Sequence, residues 1–250
     1  MIKNINFVSK FKIANISSII IFILSIFLIV FKGLNYGIDF KGGTLIELRT
    51  DKSINASTIR DSLNSMDLGD INVKKFGKEG DYLIKVEQKS INNNNLIPTI
   101  KQTLSENLSA EVDFRRVENV GPKVSSELLE SSIIAISLAL AAMLFYIWVR
   151  FEWQFSVGSI VALFHDVIIT LGIFSLLSLE INLSIIAAVL TIVGYSMNDT
   201  VVIYDRIREN LFKFTKISIS DVSNLSINET LARTIITSMT TLLALFSIYI

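Results

Sequence analysis

Apolar and polar positions divide this chain into blocks of different texture. An uncharged run from Ile13 to Phe31 comes first, and a long stretch of alternating apolar and polar positions follows. Further apolar runs cover Ser132 to Val149, Ser156 to Leu179 and Leu183 to Tyr204, and another starts near Leu231. Runs of this length read as membrane-spanning helices. Lys3, Lys10 and Lys12 precede the first run. A cleavable signal peptide has the same basic start but an apolar core of only about 7–15 residues followed by a small-residue cleavage site. Here the run continues into Phe31-Lys32-Gly33-Leu34, so the pattern predicts a retained helix over residues 13–31 behind a cytoplasmic N-terminus of residues 1–12. Later spans are expected at about 132–149, 156–179, 183–205 and 231–250. The last ends at Ile250 without a polar flank, which predicts truncation of a longer chain.

Residues 32–130 read as one extramembrane domain. Thr44 to Arg49 alternates Leu45, Glu47 and Arg49 against Ile46 and Leu48, the period of a half-buried strand. Asn55 to Met66 places Ile59, Leu63 and Met66 on one helical face behind an Asn or Ser cap. Ile71 to Phe76 and Asp81 to Glu87 alternate on either side of Gly77-Lys78-Glu79-Gly80, a hairpin pattern. Ile91 to Leu108 repeats Leu96, Ile100, Leu104 and Leu108 at helical spacing, with Pro98 near its start. Val112 to Val117 is a final strand ended by Gly121-Pro122. The order β-α-β-β-α-β predicts a ferredoxin-like fold.

Basic residues in short loops orient the spans, the richer side being cytoplasmic. With the N-terminus inside, Arg150 to Phe155 and the segment after Tyr204, with Arg206, Arg208, Lys213 and Lys216, also fall inside. Glu180-Ile181-Asn182 carries no basic residue and falls outside, as does the domain. The expected class is therefore an α-helical multi-pass membrane protein with a ferredoxin-like α+β (βαββαβ) domain on the outer side. Composition agrees: 51% of residues are apolar and 18% charged, and mean hydropathy is +0.55. The charged share lies below the roughly 25% usual in soluble proteins. Net charge is zero and so says nothing about nucleic acid. The absence of Cys excludes disulfides and thiolate metal sites, and the single His excludes Cys/His clusters.

Candidate chemistry concentrates in TIVGYSMNDTVVIYDRIREN, residues 191–210. An Asp at mid-membrane depth costs roughly 2.5–3.5 kcal/mol on insertion scales, so Asp199 needs a reason to be there. On a helix, Thr191, Tyr195, Asn198 and Asp205 share a narrow stripe flanked by Asp199 and Arg206. Arg233, Thr237, Thr240 and Thr241 share a face of the next span. Asp199 and Arg233 lie at depths that differ by about 5 Å at the helical rise, within reach of an arginine. The pair reads either as a salt bridge joining two helices, with Arg233 alternatively snorkelling unpaired, or as a proton site. In the second reading Asp199 titrates, Arg233 biases its ionised form, and Asn198 and Thr200 hydrate it.

His165 and Asp166 fall near the centre of the third span, with Ser159, Asp166 and Thr170 on one face. A metal or catalytic reading is weak, because adjacent residues point to different sides of a helix and no second His or Cys exists. Asp166 reads as a polar contact within the bundle, or as a secondary proton stop. Gly37-Ile38-Asp39-Phe40-Lys41-Gly42-Gly43-Thr44 lacks the G-x-x-x-x-G-K-[ST] spacing and precedes a strand, so it reads as a structural turn. Leu211 to Glu229 reads as an amphipathic surface segment or a linker.

Five motifs together resemble the SecF side of the SecD/SecF family, within the resistance-nodulation-division (RND) superfamily. They are GIDFKGGT at 37–44, VGPKVSSEL at 120–128, FHDVIIT at 164–170, GYSMNDTVVIYDRIREN at 194–210 and RTIITSMTT at 233–241. The fourth is highly specific. The resemblance implies a non-enzymatic subunit of the Sec preprotein translocase without a cofactor, in the bacterial inner membrane and with residues 32–130 as a periplasmic domain. It implies pairing with SecD, association with the SecYEG channel, contacts to YidC and YajC, and proton-driven late steps of preprotein export. The Asp of the NDT motif and the Arg of the RT-x-x-T-S motif are implicated in proton conduction in the family; Asp199 and Arg233 match them, and Thr237 belongs to the second motif. Met239 stands where the family usually has Gly and Lys41 where Thr is common, which implies different local packing. Family members have six spans, and this chain ends inside the fifth.

Two other readings compete. A scaffold would stabilise SecD and the channel without conducting protons, and it differs from the first reading in whether Asp199 titrates. A small-molecule exporter of the same superfamily would carry two larger external domains in one chain. No nucleophile set supports an intramembrane hydrolase.

Overall fold

The computed structural model describes residues 5–51, 54–64, 66, 69, 71–86, 96–108 and 111–249. The expected helix start at residues 91–95 and the strand end at Glu87 lie outside these. After a 3-10 turn at Val8–Lys10, helix α1 covers Phe11–Phe31. Then come β1 (Asn35–Tyr36), α2 (Ile38–Lys41), β2 (Gly43–Thr50), α3 (Ala56–Asn64), β3 (Ile71–Lys75) and β4 (Asp81–Val86). They are followed by α4 (Leu96–Leu108), β5 (Val112–Val120), α5 (Pro122–Arg150), α6 (Trp153–Leu177), β6 (Glu180–Ile181), α7 (Leu183–Lys213) and α8 (Ile219–Tyr249). Among the described residues, five helices are long and apolar enough to cross a membrane, with α1, α5, α6, α7 and α8 at their cores.

Two compact units emerge from the contacts. The first holds Met1–Leu34, Leu138–Leu179 and Ala187–Ile250, and the second Asn35–Ser137 and Glu180–Ile186.

In the second unit, four strands form an antiparallel sheet in the order β3-β4-β2-β5. With α3 and α4 intervening, the element order along the chain is β-α-β-β-α-β. Period-two alternation sends Ile46 and Leu48 of β2, Val73 of β3 and Tyr82, Ile84 and Val86 of β4 to one face. There they pack against Ile59 and Leu63 of α3 and Ile100 and Leu104 of α4. The opposite face carries Arg49 beside Asp81, which are cross-strand neighbours and form an ion pair. Gly80 ends the β3–β4 turn at φ +88°, where a Cβ would lie 2.7 Å from the Thr50 carbonyl oxygen, so only glycine fits. A parallel pair, β1 with β6, joins Asn35 to Glu180 and Tyr36 to Ile181. Lys85 Nζ of β4 donates to the Tyr36 carbonyl at 2.8 Å. Asp39, in the one-turn helix α2, accepts the Leu183 backbone N–H through Oδ2 at 2.9 Å.

In the first unit, α1 packs against α6 along a seam of small residues. Ser25 is 4% exposed, and a Cβ added to Gly172 would lie 2.4 Å from the Ser25 Cβ. Ser175 Oγ donates to the Gly33 carbonyl at 2.7 Å, and Lys32 Nζ donates to the Leu176 carbonyl at 2.6 Å. Ile147 and Phe151, Leu163 of α6, and Val193 and Met197 of α7 form an apolar core. Before α1, the chain is held by α8: the backbone N–H and C=O of Ile5 bond the Asn228 side chain at 2.9 and 2.8 Å, and the Phe7 N–H donates to Asn224 Oδ1 at 2.8 Å.

The largest departure from expectation is between Leu211 and Glu229. Helix α7 runs on past residue 205 to Lys213, and α8 begins at Ile219 rather than near 231. Ser218 caps the helix start: its Oγ accepts the Asp221 N–H at 3.1 Å and donates to the Asp221 carboxylate at 2.7 Å. Val222, Ser226 and Thr230, one turn apart, are buried, and Asn210 Nδ2 donates to Ser226 Oγ at 3.0 Å. The helix therefore starts about twelve residues early because its buried stripe is mostly polar, and polar stripes do not register as apolar periodicity.

Candidate functional site

Helix α7 carries the site because its two faces differ. Val189, Val193 and Met197 recur every fourth residue and are buried, the last two in the core described above. Asn198 and Asp199 lie one and two helical steps round from Met197. Asp199 is half-buried and Asn198 exposed, and Asn198 Nδ2 approaches Asp199 Oδ1 at 3.5 Å. Thr200 turns its hydroxyl onto its own helix, donating to the Ser196 carbonyl at 2.9 Å, and Thr191 does the same to Ala187 at 2.8 Å. Tyr195 is 52% exposed. Asp199 thus keeps a carboxylate with little internal satisfaction on a helix of membrane-spanning length.

Among the described residues no ion pair joins Asp199 to Arg233, which corrects the expectation of a direct partnership. The reason is where α7 and α8 meet. Their side-chain bonds lie at the polar ends, Arg206 Nε to Glu229 Oε2 at 2.6 Å and Asn210 Nδ2 to the same oxygen at 2.7 Å. Arg233 lies one turn beyond Glu229, while Asp199 lies about two turns from Arg206. Beyond Arg233 the apolar face of α8, Ile235, Ile236, Met239 and Leu242, is exposed. Thr237 donates to the Thr234 carbonyl at 2.9 Å, and Thr240 and Thr241 both donate to the Thr237 carbonyl at 2.9 Å. Matching depth placed Arg233 and Asp199 at one level; it carried no information on azimuth. Arg233 instead lines a cavity of about 290 Å³ with Val202, Asp205, Arg206, Glu209, Glu229 and Thr230.

That cavity borders a charge network. Arg206 bridges Glu229 and Glu209, the latter at 2.6 Å, and Lys213 reaches Glu209 at 2.6 Å. Asp205 accepts from Arg150 at 2.9 Å and from Arg208 at 3.2 Å. Both guanidinium groups lie over the Phe151 ring, at 5.1 and 5.7 Å. Glu229, Asn210 and Ser226 were missed by sequence reasoning. A buried Asn and Ser give no apolar signal, though Ser218 with Asp221 three residues later was available as a pointer to a helix start.

His165 and Asp166 reach to different helices, as adjacent positions on α6 must, but they also touch each other. His165 Nε2 is 2.5 Å from Ser18 Oγ on α1, and its ring lies parallel to Phe22 with centroids 5.9 Å apart. His165 Nδ1 is 3.0 Å from Asp166 Oδ1, and Asp166 Oδ2 accepts from Ser196 Oγ on α7 at 2.5 Å. Thr170 donates to the Asp166 carbonyl at 2.8 Å. Ser159 is 1% exposed, and among the described residues its hydroxyl has no hydrogen-bond partner. Among the described residues no group of three or more His, Cys, Asp or Glu gathers as metal ligands do.

Comparison with known proteins places these motifs in one family. The model of "Protein export membrane protein SecD/SecF, C-terminal" matches residues 100–250, and that of the "SecD/SecF GG Motif" matches residues 27–54. Protein translocase subunit SecF of Rickettsia bellii is 46% identical over 240 residues, covering 96% of this chain and 79% of the relative. SecF of Vibrio alginolyticus is 42% identical over 248 residues, covering 99% of this chain and 79% of its own length. The crystal structure of SecDF, a translocon-associated membrane protein from Thermus thermophilus, superposes with a TM-score of 0.87 at 34% identity over 97% of this chain. This chain spans 33% of that SecDF chain. A SecDF structure in the super-membrane-facing form has the same identity and coverage with a TM-score of 0.67. Matching family models at both ends and SecF relatives over nearly its whole length, the chain belongs to the SecD/SecF family of protein-export membrane proteins.

Proposed function

We propose that this SecF-like translocase subunit pairs with SecD and uses the proton motive force to drive late steps of preprotein export across the inner membrane. In this reading it is not an enzyme. Its N-terminus is cytoplasmic, its α+β unit is a ferredoxin-like periplasmic domain, and its partners are SecD, the SecYEG channel, YidC and YajC. The observation that carries the proposal is Asp199, half-buried on a helix of membrane-spanning length, with a 3.5 Å contact from Asn198 as its side-chain neighbour. Ionisable residues at such depths mark ion or proton paths. Arg233, Thr237 and Thr200 line the remainder of the path, and SecD supplies the facing wall that this chain lacks. The polar stripe on α8 points its hydroxyls at its own backbone, which leaves room for that outside wall.

Energetics are adequate. One charge crossing 100 mV gains about 2.3 kcal/mol, enough to shift a two-state domain equilibrium more than tenfold. The test is gradient-dependent preprotein release from vesicles containing SecD and either wild-type or Asp199→Asn protein. The variant keeps the shape and loses the titratable group, so release is expected to lose its gradient dependence. Equal release from both would support a non-conducting scaffold.

A further inference from the structure

We propose that His165 and Asp166 form a second proton-binding site in the bundle, linked by hydrogen bonds to α1 through Ser18 and to α7 through Ser196. Its use in transport rests on the proton-driven reading above; its chemistry does not.

Four side chains form an unbroken hydrogen-bonded row: Ser18 Oγ, the two ring nitrogens of His165, the two carboxylate oxygens of Asp166, and Ser196 Oγ. Two protonation states satisfy this row equally. In the first, Nδ1–H donates to Asp166, the Ser18 hydroxyl donates to the lone pair of Nε2, and the pair carries one negative charge. In the second, a proton taken from water has formed an N–H bond at Nε2. The imidazolium then donates from both nitrogens, Ser18 Oγ accepts, and the pair is neutral. The change between them needs only rotation of the Ser18 hydroxyl. Neutrality is favoured in an apolar surrounding, and the parallel Phe22 ring offers its π face to the cation. Uptake is thus matched to a membrane without displacement of heavy atoms.

Few other groups compete for the proton. Helix α1 contributes no titratable side chain between Lys12 and Lys32, and α6 contributes none besides the pair itself. The apolar stretch of α5 offers only Tyr146, and α7 offers Tyr195, Asp199 and Tyr204 before its charged end begins at Asp205. Asp199 lies three residues after Ser196, so the charge on Asp166 is felt one turn from the carboxylate proposed to carry protons.

The single His of the chain makes the test unambiguous, because a 15N-histidine label reports one ring. The full chain, assembled with SecD in lipid bilayers, is titrated from about pH 5 to 9 by solid-state NMR. The expected result is an Nδ1–H tautomer at high pH that becomes imidazolium as pH falls. Asp166→Asn should lower the midpoint, and Ser18→Ala should move the Nε2 resonance of the neutral ring. An Nε2–H tautomer in the wild-type protein overturns the proposal without recourse to any variant. So does a ring that never protonates, or a midpoint that Asp166→Asn leaves in place. Asp199→Asn should keep the ring titrating while abolishing gradient-dependent release, so failure here and failure of the transport reading are separately visible.

Discussion

The Asp39 carboxylate and the Leu183 backbone N–H are 2.9 Å apart, so a residue 144 positions earlier in the chain caps the helix that carries Asp199. Asn182 Oδ1 takes the Ile185 N–H at 3.0 Å, and together the two side chains satisfy two of the N–H groups that a helix start leaves open. The carboxylate also complements the positive end of the helix dipole. Because Asp39 lies in α2, three residues after Tyr36, and Lys85 of β4 holds the Tyr36 carbonyl, the first residues of α7, 183–186, belong to the second unit. The GIDFKGGT stretch is more than a turn, and its Asp is the working part.

Replacing Asp39 with Ala should cost about 1 kcal/mol at that helix end, the usual loss for a cap. Amide exchange at Leu183–Ile186 should quicken by roughly fivefold, as the cost implies, while exchange at Val193–Met197 stays unchanged. Uniform acceleration along α7 would show that the cap does not act locally.

Gly172→Ala should destabilise the α1–α6 seam by about 1–3 kcal/mol, the range for overpacking, since the new methyl would lie 2.4 Å from the Ser25 Cβ. Ser25→Gly removes that atom and should recover much of the loss in a thermal-melt double-mutant cycle. Additive effects of the two changes would mean that they do not meet.

The Arg49–Asp81 pair gives the sheet unit an acid-sensitive component. Asp81, 7% exposed, is held below the usual carboxylate range chiefly by hydrogen bonds from Arg49, against the opposing effect of burial. A carboxyl depressed in the folded state is stabilising above its unfolded value of about 3.9, and this stability is lost as pH falls through the folded value. Denaturation of the full chain followed by exchange at β2 and β4 should show this acid slope in the wild type and a shallower one in Asp81→Asn. Arg49→Met should weaken the sheet at neutral pH more than the double change does, because it leaves a buried carboxylate unpaired.

Glu229→Arg should part the polar ends of α7 and α8 by setting like charge against Arg206. The swap with Arg206→Glu should restore part of the contact, about 0.2–1 kcal/mol for a partly exposed pair. Spin labels at Lys213 and Ile219 would read the separation as a broadened distance distribution in the single variant and a narrower one in the swap.

Much of this was legible in one dimension. Leu96, Ile100, Leu104 and Leu108 announced α4, and the Ile46–Leu48 alternation announced β2, because local apolar period follows directly from backbone geometry. The start of α8 was hidden because Ser226 and Thr230 are buried by hydrogen bonding rather than by hydrophobicity. Candidate residues on single helices were identified by type and depth, but their partners were not. Ser18 with His165 and Ser196 with Asp166 depend on how helices are rotated against each other, which no residue spacing encodes. The same ignorance of azimuth made Arg233 look like the partner of Asp199.

The hold of Asn224 and Asn228 on the segment before α1 uses only main-chain groups of Ile5 and Phe7. Nothing in it reads the identity of a side chain. Residues 5 and 7 are therefore free to drift in type over evolution or in a library, with one exclusion: proline at either has no N–H to give, whereas Asn6 between them spends its own side chain on the Ser9 N–H. Tolerance to every replacement but that one would be the signature of an anchor that recognises backbone and ignores the amino acid attached to it.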